Sequence, residues 1–237
     1  MKKIGIIQPG RLGDLFICLP IAKYYSKKGY KVYWPVMVDY VNLAHFIADY
    51  AIFIPVTSDV YKCVDEAGDA LKYHKVDKVI DIAATFPGST CTEEYVKLGD
   101  GFGEEKFDEF KYRLAKVPFK NKWDLQYTRD LDREQEVYDL YVKEKKYDVV
   151  GLKHSRGEAN VQVLSKNQVI HINEKHRIVD WRKVLEGAEH IVLVDSAMAN
   201  FVEQLNLPNK KTLVTKPGQP TPTFKNKWDI RWELDLQ

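Results

Sequence analysis

Lys3-Ile4-Gly5-Ile6-Ile7-Gln8-Pro9-Gly10-Arg11-Leu12-Gly13-Asp14 is a short apolar run that gives way to a turn holding two glycines. An amphipathic stretch from Leu15 to Lys28 follows and is closed by Gly29. Apolar runs of this length bounded by Gly and Pro are strand signals, and a glycine behind an apolar-periodic stretch is a helix stop. The opening therefore reads as a strand-turn-helix unit. Outward from it the alternation repeats: strands at Lys31 to Val36, Ile52 to Val56 and Lys78 to Ile82, helices at Tyr40 to Asp49, Asp59 to Tyr73 and Glu104 to Lys116, and a long loop from Ala83 to Gly103. After Val117 to Asp130, which carries Pro118 and no clear period, a charged helix from Leu131 to Lys146 opens a second series. It has strands at Val149 to Lys153, Gln168 to Ile172, His190 to Val194 and Lys210 to Thr215, and helices at Val179 to Glu186 and Met198 to Leu205. Strands that alternate with helices predict parallel sheets covered on both faces, hence an α/β fold.

A chain of 237 residues is long enough for one large domain or two small ones, and the break at Val117 to Asp130 favours two: residues 1–123 and 124–237. The tail after Pro217 ends in Trp228, Ile230, Trp232 and Leu234 and is expected to run back across the fold and bury those groups. Hydrophobic residues at 45% and charged residues at 30%, for a formal charge of +2, describe an ordinary globular protein without the field of an obligate nucleic-acid binder. The first apolar run is broken by Gln8, Pro9 and Arg11, which is not a cleavable signal, and no stretch reaches the roughly 20 apolar residues of a membrane span. Cys18, Cys63 and Cys91 form neither an even framework nor a metal spacing. The expectation is a cytoplasmic protein with reduced thiols.

Three stretches carry chemistry. At Gly10 to Asp14 the strand hands over to a helix, the place where α/β sheets bind ligands. Gly10 and Gly13 leave room for a ligand against the backbone, Arg11 lies between them, and Asp14 reads either as a helix cap or as a carboxylate that holds a substrate hydroxyl. Two glycines three apart do not match G-x-G-x-x-G, which disfavours a nicotinamide enzyme. At Asp195-Ser196-Ala197-Met198-Ala199-Asn200 an apolar strand opens a helix whose first amides suit a phosphate, with simple capping by Asp195 or Ser196 as the other reading. Between them Lys153-His154-Ser155-Arg156 offers four consecutive donors, fit for an anion or for a solvated loop.

On these residues the chain resembles the ADP-heptose:lipopolysaccharide heptosyltransferases and related glycosyltransferases, which open with a strand, a G-x-x-G-D turn and an L-P pair. Here these are Gly10 to Asp14 and Leu19-Pro20. The family's D-S/T-G-x-x-H signature is met by Asp195-Ser196-Ala197-Met198-Ala199-Asn200, with Ala197 for the glycine and Asn200 for the histidine. Leu152 to Arg156 looks like the family's donor-phosphate loop, and Leu207-Pro208 sits where its L-G-x-P turn follows. The family's chains are longer, so this is a pared-down version.

The resemblance implies two Rossmann-like domains with parallel sheets facing across a cleft, the GT-B arrangement, with the acceptor mainly on the first domain and a nucleotide-sugar donor mainly on the second. It implies transfer of a sugar to an acceptor hydroxyl with inversion, Asp14 as general base, and stabilisation of the leaving diphosphate by the amides after Asp195 with Lys153, His154, Ser155 and Arg156. No metal and no cofactor is then required. Asn173 or Glu174, behind the preceding strand, is placed for a ribose hydroxyl by analogy with other doubly wound sites. Two alternatives stand beside this: a viral-type enzyme that glycosylates a hydroxymethylated base in DNA, and a nucleotide-sugar-binding protein without catalysis. Weaker candidates have plainer readings: His171 and His176 as surface residues, Trp34, Tyr95, Phe102, Trp123 and Trp181 as core or stacking rings, and Lys116 to Lys122 and Lys143 to Lys146 as solvated faces.

Overall fold

A computed structural model describes residues 1–99, 105–154, 157–159, 161, 163–215, 221–225 and 228–232. The chain divides into two compact units, one of Met1–Thr128 with Pro220–Thr223, the other of Arg129–Gln219 with Phe224–Gln237. The change of unit falls after Thr128 rather than at 123/124, and Thr128 still donates its N–H to the Ile47 carbonyl of the first unit at 2.9 Å.

The first unit runs β1 (Lys3–Ile7), α1 (Leu12–Lys27), β2 (Lys31–Met37), α2 (Val38–Ile47), β3 (Ile52–Val56), α3 (Cys63–Tyr73), β4 (Lys78–Asp81), α4 (Thr92–Lys97) and α5 (Phe107–Leu114). Its four strands are parallel in the order β3-β2-β1-β4. Helix α3 packs Val64, Ala67 and Leu71 against Ile7, Tyr33 and Val56. It lies so close to β1 that a Cβ on Gly5 would sit 2.6 Å from Leu71 Cδ1. Helix α1 is not the amphipathic helix expected from Leu15 to Lys28: it is buried on nearly every side, from Leu15 to Ala22 and again at Tyr25, and so carries no single apolar stripe. The Tyr112 hydroxyl donates to its Ile17 carbonyl at 2.8 Å, and Tyr25 to the Ala115 carbonyl at 2.6 Å, so α5 and the turn behind it are tied to α1.

The second unit runs α6 (Leu131–Tyr141), β5 (Tyr147–Gly151), β6 (Lys153–His154), β7 (Gly157–Glu158), β8 (Gln168–His171), α7 (Arg182–Gly187), β9 (His190–Val194), α8 (Ala197–Leu205), β10 (Lys210–Thr215) and β11 (Asp229–Trp232). Five strands form a parallel sheet in the order β11-β10-β9-β5-β8, while β6 and β7 make a small antiparallel hairpin. Val150, Val192, Val194 and Val214 form the core of one face with Ala159 and Val161. Asn206, at φ 53°, ends α8 in the left-handed conformation that suits asparagine.

Two expectations are corrected. Within the stretch read as a loop from Ala83 to Gly103, Thr92–Lys97 is helical. Its first turn holds Glu93 and Glu94, its last Lys97, and Tyr95 docks on Phe110 with ring centroids 5.3 Å apart. The tail does not simply cross back: Thr221–Thr223 join the first unit, and Asp229–Trp232 then pair in parallel with β10. Ile230 is half exposed there, Trp228 donates its indole N–H to the buried Glu203 at 2.7 Å, and Leu234 lies outside the described residues.

Candidate functional site

In the first unit the residues after β1 sit at the carboxyl end of the sheet, the end at which doubly wound folds place ligands. Met37 packs closely over Gly10: a Cβ there would lie 2.6 Å from Met37 Sδ, and the methionine side chain would have to shift. Gln8 is buried, accepts the Trp34 indole N–H on its carbonyl at 2.9 Å, and donates its side-chain amide to the Gly10 carbonyl. Arg11 is exposed and holds the N-cap position in extended conformation; Leu12 and Gly13 begin the helix. Asp14 is therefore the third helical residue and not the cap. Its Oδ2 accepts the Arg11 backbone N–H at 3.4 Å, the capping-box partner's contact.

The other oxygen of Asp14 faces a residue that no sequence pattern singles out. Lys111 Nζ, on α5, lies 3.3 Å from Asp14 Oδ1, and the side chains are 1% and 15% exposed respectively. The same ammonium donates to the Ile82 carbonyl at 2.8 Å and to Gln8 Oε1. Beside β1, at the end of β4, Asp81 is fully engaged: Oδ1 accepts from the Ser89 hydroxyl at 2.9 Å and Oδ2 from the Thr90 N–H at 2.7 Å. It shapes the loop that carries the buried Cys91. Burial pushes the nearby Cys18 thiol up to about 12, against a smaller opposing effect of Lys111.

In the second unit, the order β9-β5-β8 brings the ends of three parallel strands to one edge. A pocket of about 500 Å³ opens there over Val150, Leu152 and Ile172. Lys153, Asn173 and Glu174 line it together, so three of the expected donor residues are neighbours. Lys153 Nζ pairs with Glu174 Oε2 at 2.6 Å; with both side chains more than half exposed, such a pair adds about 0–1 kcal/mol and leaves the lysine available to a competing anion. Asn173 donates Nδ2 to the Tyr141 hydroxyl at 2.9 Å and accepts the Lys175 N–H at 3.0 Å. His154 stands in the β6–β7 hairpin, and Ser155 and Arg156 lie outside the described residues.

Behind β9, Ser196 is the N-cap of α8, extended at φ −154° and ψ 176°, with its hydroxyl accepting from the Ala199 N–H at 3.5 Å. Asp195 donates its N–H to the Val214 carbonyl at 3.2 Å. Ala197 and Met198 follow as the first helical residues, whose amides have no acceptor within the helix. Asn200 is 5% exposed and donates Nδ2 to the Ser196 carbonyl at 3.1 Å, while its Oδ1 is buried without a partner among the described residues.

Several plainer readings also change. His176 is not a surface residue: its Nε2 lies 3.2 Å from the Tyr141 hydroxyl and its ring meets Trp181 edge-on at 5.8 Å. That cluster holds the Tyr141 hydroxyl to which Asn173 donates. His171 is exposed, Trp34, Tyr95 and Trp181 are core, and Phe102 lies outside the described residues. Lys122, inside the stretch read as a solvated face, is fully buried against Asp108 at 2.6 Å. Among the described residues no helix is long and apolar enough to cross a membrane.

No family model matches the sequence, and no curated protein matches it. Solved structures do. The E. coli ADP-heptose lps heptosyltransferase II aligns over 98% of this chain and 90% of its own at 13% identity and a TM-score of 0.60. E. coli heptosyltransferase WaaC, solved with ADP, aligns over 98% and 91% at 14% identity and 0.54. The glycosyl transferase family 9 structure from Veillonella parvula DSM 2008 aligns over 99% and 86% at 10% identity and 0.61. At these identities the likeness is one of architecture, and the chain has the two-sheet α/β fold of the heptosyltransferases and of glycosyl transferase family 9.

Proposed function

We propose that this chain is a glycosyltransferase that moves a sugar from a nucleoside-diphosphate donor to an acceptor hydroxyl, with inversion and with Asp14 as general base. The observation that carries the reading is the state of Asp14: a carboxylate at the carboxyl end of a parallel sheet, held at one oxygen by a buried ammonium and at the other by a backbone amide, and still 15% exposed. The donor class is suggested by the neighbours, since the WaaC structures hold ADP and ADP-2-deoxy-2-fluoro heptose.

In this reading Asp14 accepts the proton of the acceptor hydroxyl as its oxygen attacks the anomeric carbon. The bond from that carbon to the diphosphate oxygen breaks on the opposite face, which inverts the configuration. Base assistance of this kind contributes roughly 10² to 10⁴ in rate. The departing diphosphate is stabilised by the first amides of α8, by the Lys153 ammonium and by His154 as a hydrogen-bond donor, without a metal.

The test is transfer from a panel of UDP-, GDP-, ADP- and CMP-sugars, read by mass spectrometry with glycans and hydroxymethylated DNA as acceptors, followed by Asp14→Asn with the productive pair. Asparagine keeps the side-chain oxygen that meets the Arg11 amide but leaves Lys111 without its charge partner. A loss of stability of about 1–3 kcal/mol is therefore expected. Single-turnover transfer falls by roughly 10² or more while donor affinity stays within about twofold. Full transfer by Asp14→Asn excludes Asp14 as the base.

A further inference from the structure

Lysine is among the side chains least often fully buried, because its ammonium loses water that only good partners replace. Lys111 is 1% exposed, and three oxygen atoms surround its ammonium. It donates to the Ile82 carbonyl and to Gln8 Oε1, and its charge pairs with Asp14 Oδ1 at 3.3 Å. The first two acceptors follow directly on strands β4 and β1, which are neighbours in the sheet, and Ile82 donates its own N–H to the Ile7 carbonyl at 3.1 Å. Lys111 thus binds the ends of two strands and holds its charge beside Asp14. The Gln8 amide extends the chain, passing from Lys111 to the Gly10 carbonyl. One ammonium therefore fixes both the glycine turn and the carboxylate behind it.

Among the described residues the other restraint on the Asp14 carboxylate is the Arg11 amide at 3.4 Å, long for a hydrogen bond to a charged group. A base that must meet a hydroxyl proton in line loses rate steeply when it rotates or shifts; a displacement of about 1 Å can lower turnover about 100-fold. We propose that Lys111 is the positioning residue of the transfer reaction, acting on the acceptor hydroxyl only through Asp14. The inference rests on the reading of Asp14 as the base.

The experiment measures single-turnover transfer, donor affinity by calorimetry and thermal melting for Lys111→Met, Lys111→Gln and Lys111→Arg, each also combined with Asp14→Asn. Lys111→Met removes the charge at nearly constant length; Lys111→Gln keeps a donor and serves if the methionine variant does not fold. The transfer rate is expected to fall about 30- to 100-fold in the folded neutral variants, with donor affinity unchanged within about twofold. Lys111→Arg recovers part of the rate because it restores a charged donor. In the Asp14→Asn background the neutral substitutions have no further effect on transfer. A folded Lys111→Gln or Lys111→Met with the parent rate overturns the proposal, as does a loss of the same factor in both backgrounds, since Lys111 would then act independently of Asp14. Failure of the underlying reading shows differently: Asp14→Asn alone transfers at the parent rate.

Discussion

Replacing Lys122 by methionine removes one half of a buried ion pair whose members, Lys122 and Asp108, are both 0% exposed at 2.6 Å. A buried charge left alone usually destabilises by about 3–5 kcal/mol. Here Asp108 keeps two weaker donors, the Thr223 N–H, shared between its two oxygens at 3.1 and 3.0 Å, and the Thr223 hydroxyl at 3.3 Å. They offset part of the loss, so the expected destabilisation is near the lower bound, about 3 kcal/mol. The Thr223 carbonyl, which accepts from Lys122, loses its partner in the same variant. With two compact units a single unfolding free energy is poorly defined. The assay is therefore native-state hydrogen exchange followed peptide by peptide. Peptides from β1, β4 and α5 should open more easily by about 3 kcal/mol, while those from β5 and β9 keep their protection. Lys122→Met combined with Asp108→Leu should lose less than the sum of the two single changes by at least about 1.5 kcal/mol, because neither charge is then stranded. Protection of the first unit within about 0.5 kcal/mol of the parent in Lys122→Met would show that the pair contributes little and that the reasoning about stranded charge is wrong.

Two glycines in helices should respond oppositely to alanine. At Gly68, inside α3, an added Cβ meets nothing within 4 Å, and Gly68→Ala should stabilise by about 0.5–1 kcal/mol by calorimetry; at Gly187 the Cβ would collide with the Tyr147 hydroxyl, which donates to the Val184 carbonyl, so Gly187→Ala should destabilise by about 1–3 kcal/mol. Cys18 gives a dependence on pH. Its thiol ordinarily ionises near 9.0 and is pushed up to about 12 by burial, so between those values the unfolded chain holds fewer protons than the folded one. Stability therefore falls as pH rises through that window, by about 1.4 kcal/mol per pH unit from this group, and Cys18→Ala should flatten the slope in denaturant titrations at pH 9–11. A slope unchanged by the substitution would mean that the thiol is not kept neutral.

The elements that could be read from the sequence are those defined by local chemistry. Lys3–Ile7, Ile52–Val56, His190–Val194 and Lys210–Thr215 have the same bounds in the structure as in the reading, because each is a short apolar run closed by turn residues and buried in a parallel sheet. Ser196 as a helix cap was equally legible, since its hydroxyl answers to amides three residues away. What escaped depends on distant partners. Asp229–Trp232 becomes a strand because β10 offers an open edge, and Thr92–Lys97 a helix because Tyr95 finds Phe110. Asp14 was identifiable by its turn, but Lys111 lies 97 positions further on, and a lysine between Phe110 and Tyr112 looks like any solvated residue on a helix. Nothing in its neighbours announces that the helix turns that position inward.

The strand of chain at Thr221 to Thr223 also sets an order in time. Residues 129–219 must all be synthesised before Thr223 can reach Asp108 and Lys122, and Lys106 can reach the Thr221 carbonyl at 3.3 Å. A ribosome that has released only the first 128 residues has released a four-stranded sheet whose buried ion pair still lacks its third member. The first unit is thus finished last, and a fragment cut at its apparent end would carry the Asp108–Lys122 pair open on one side.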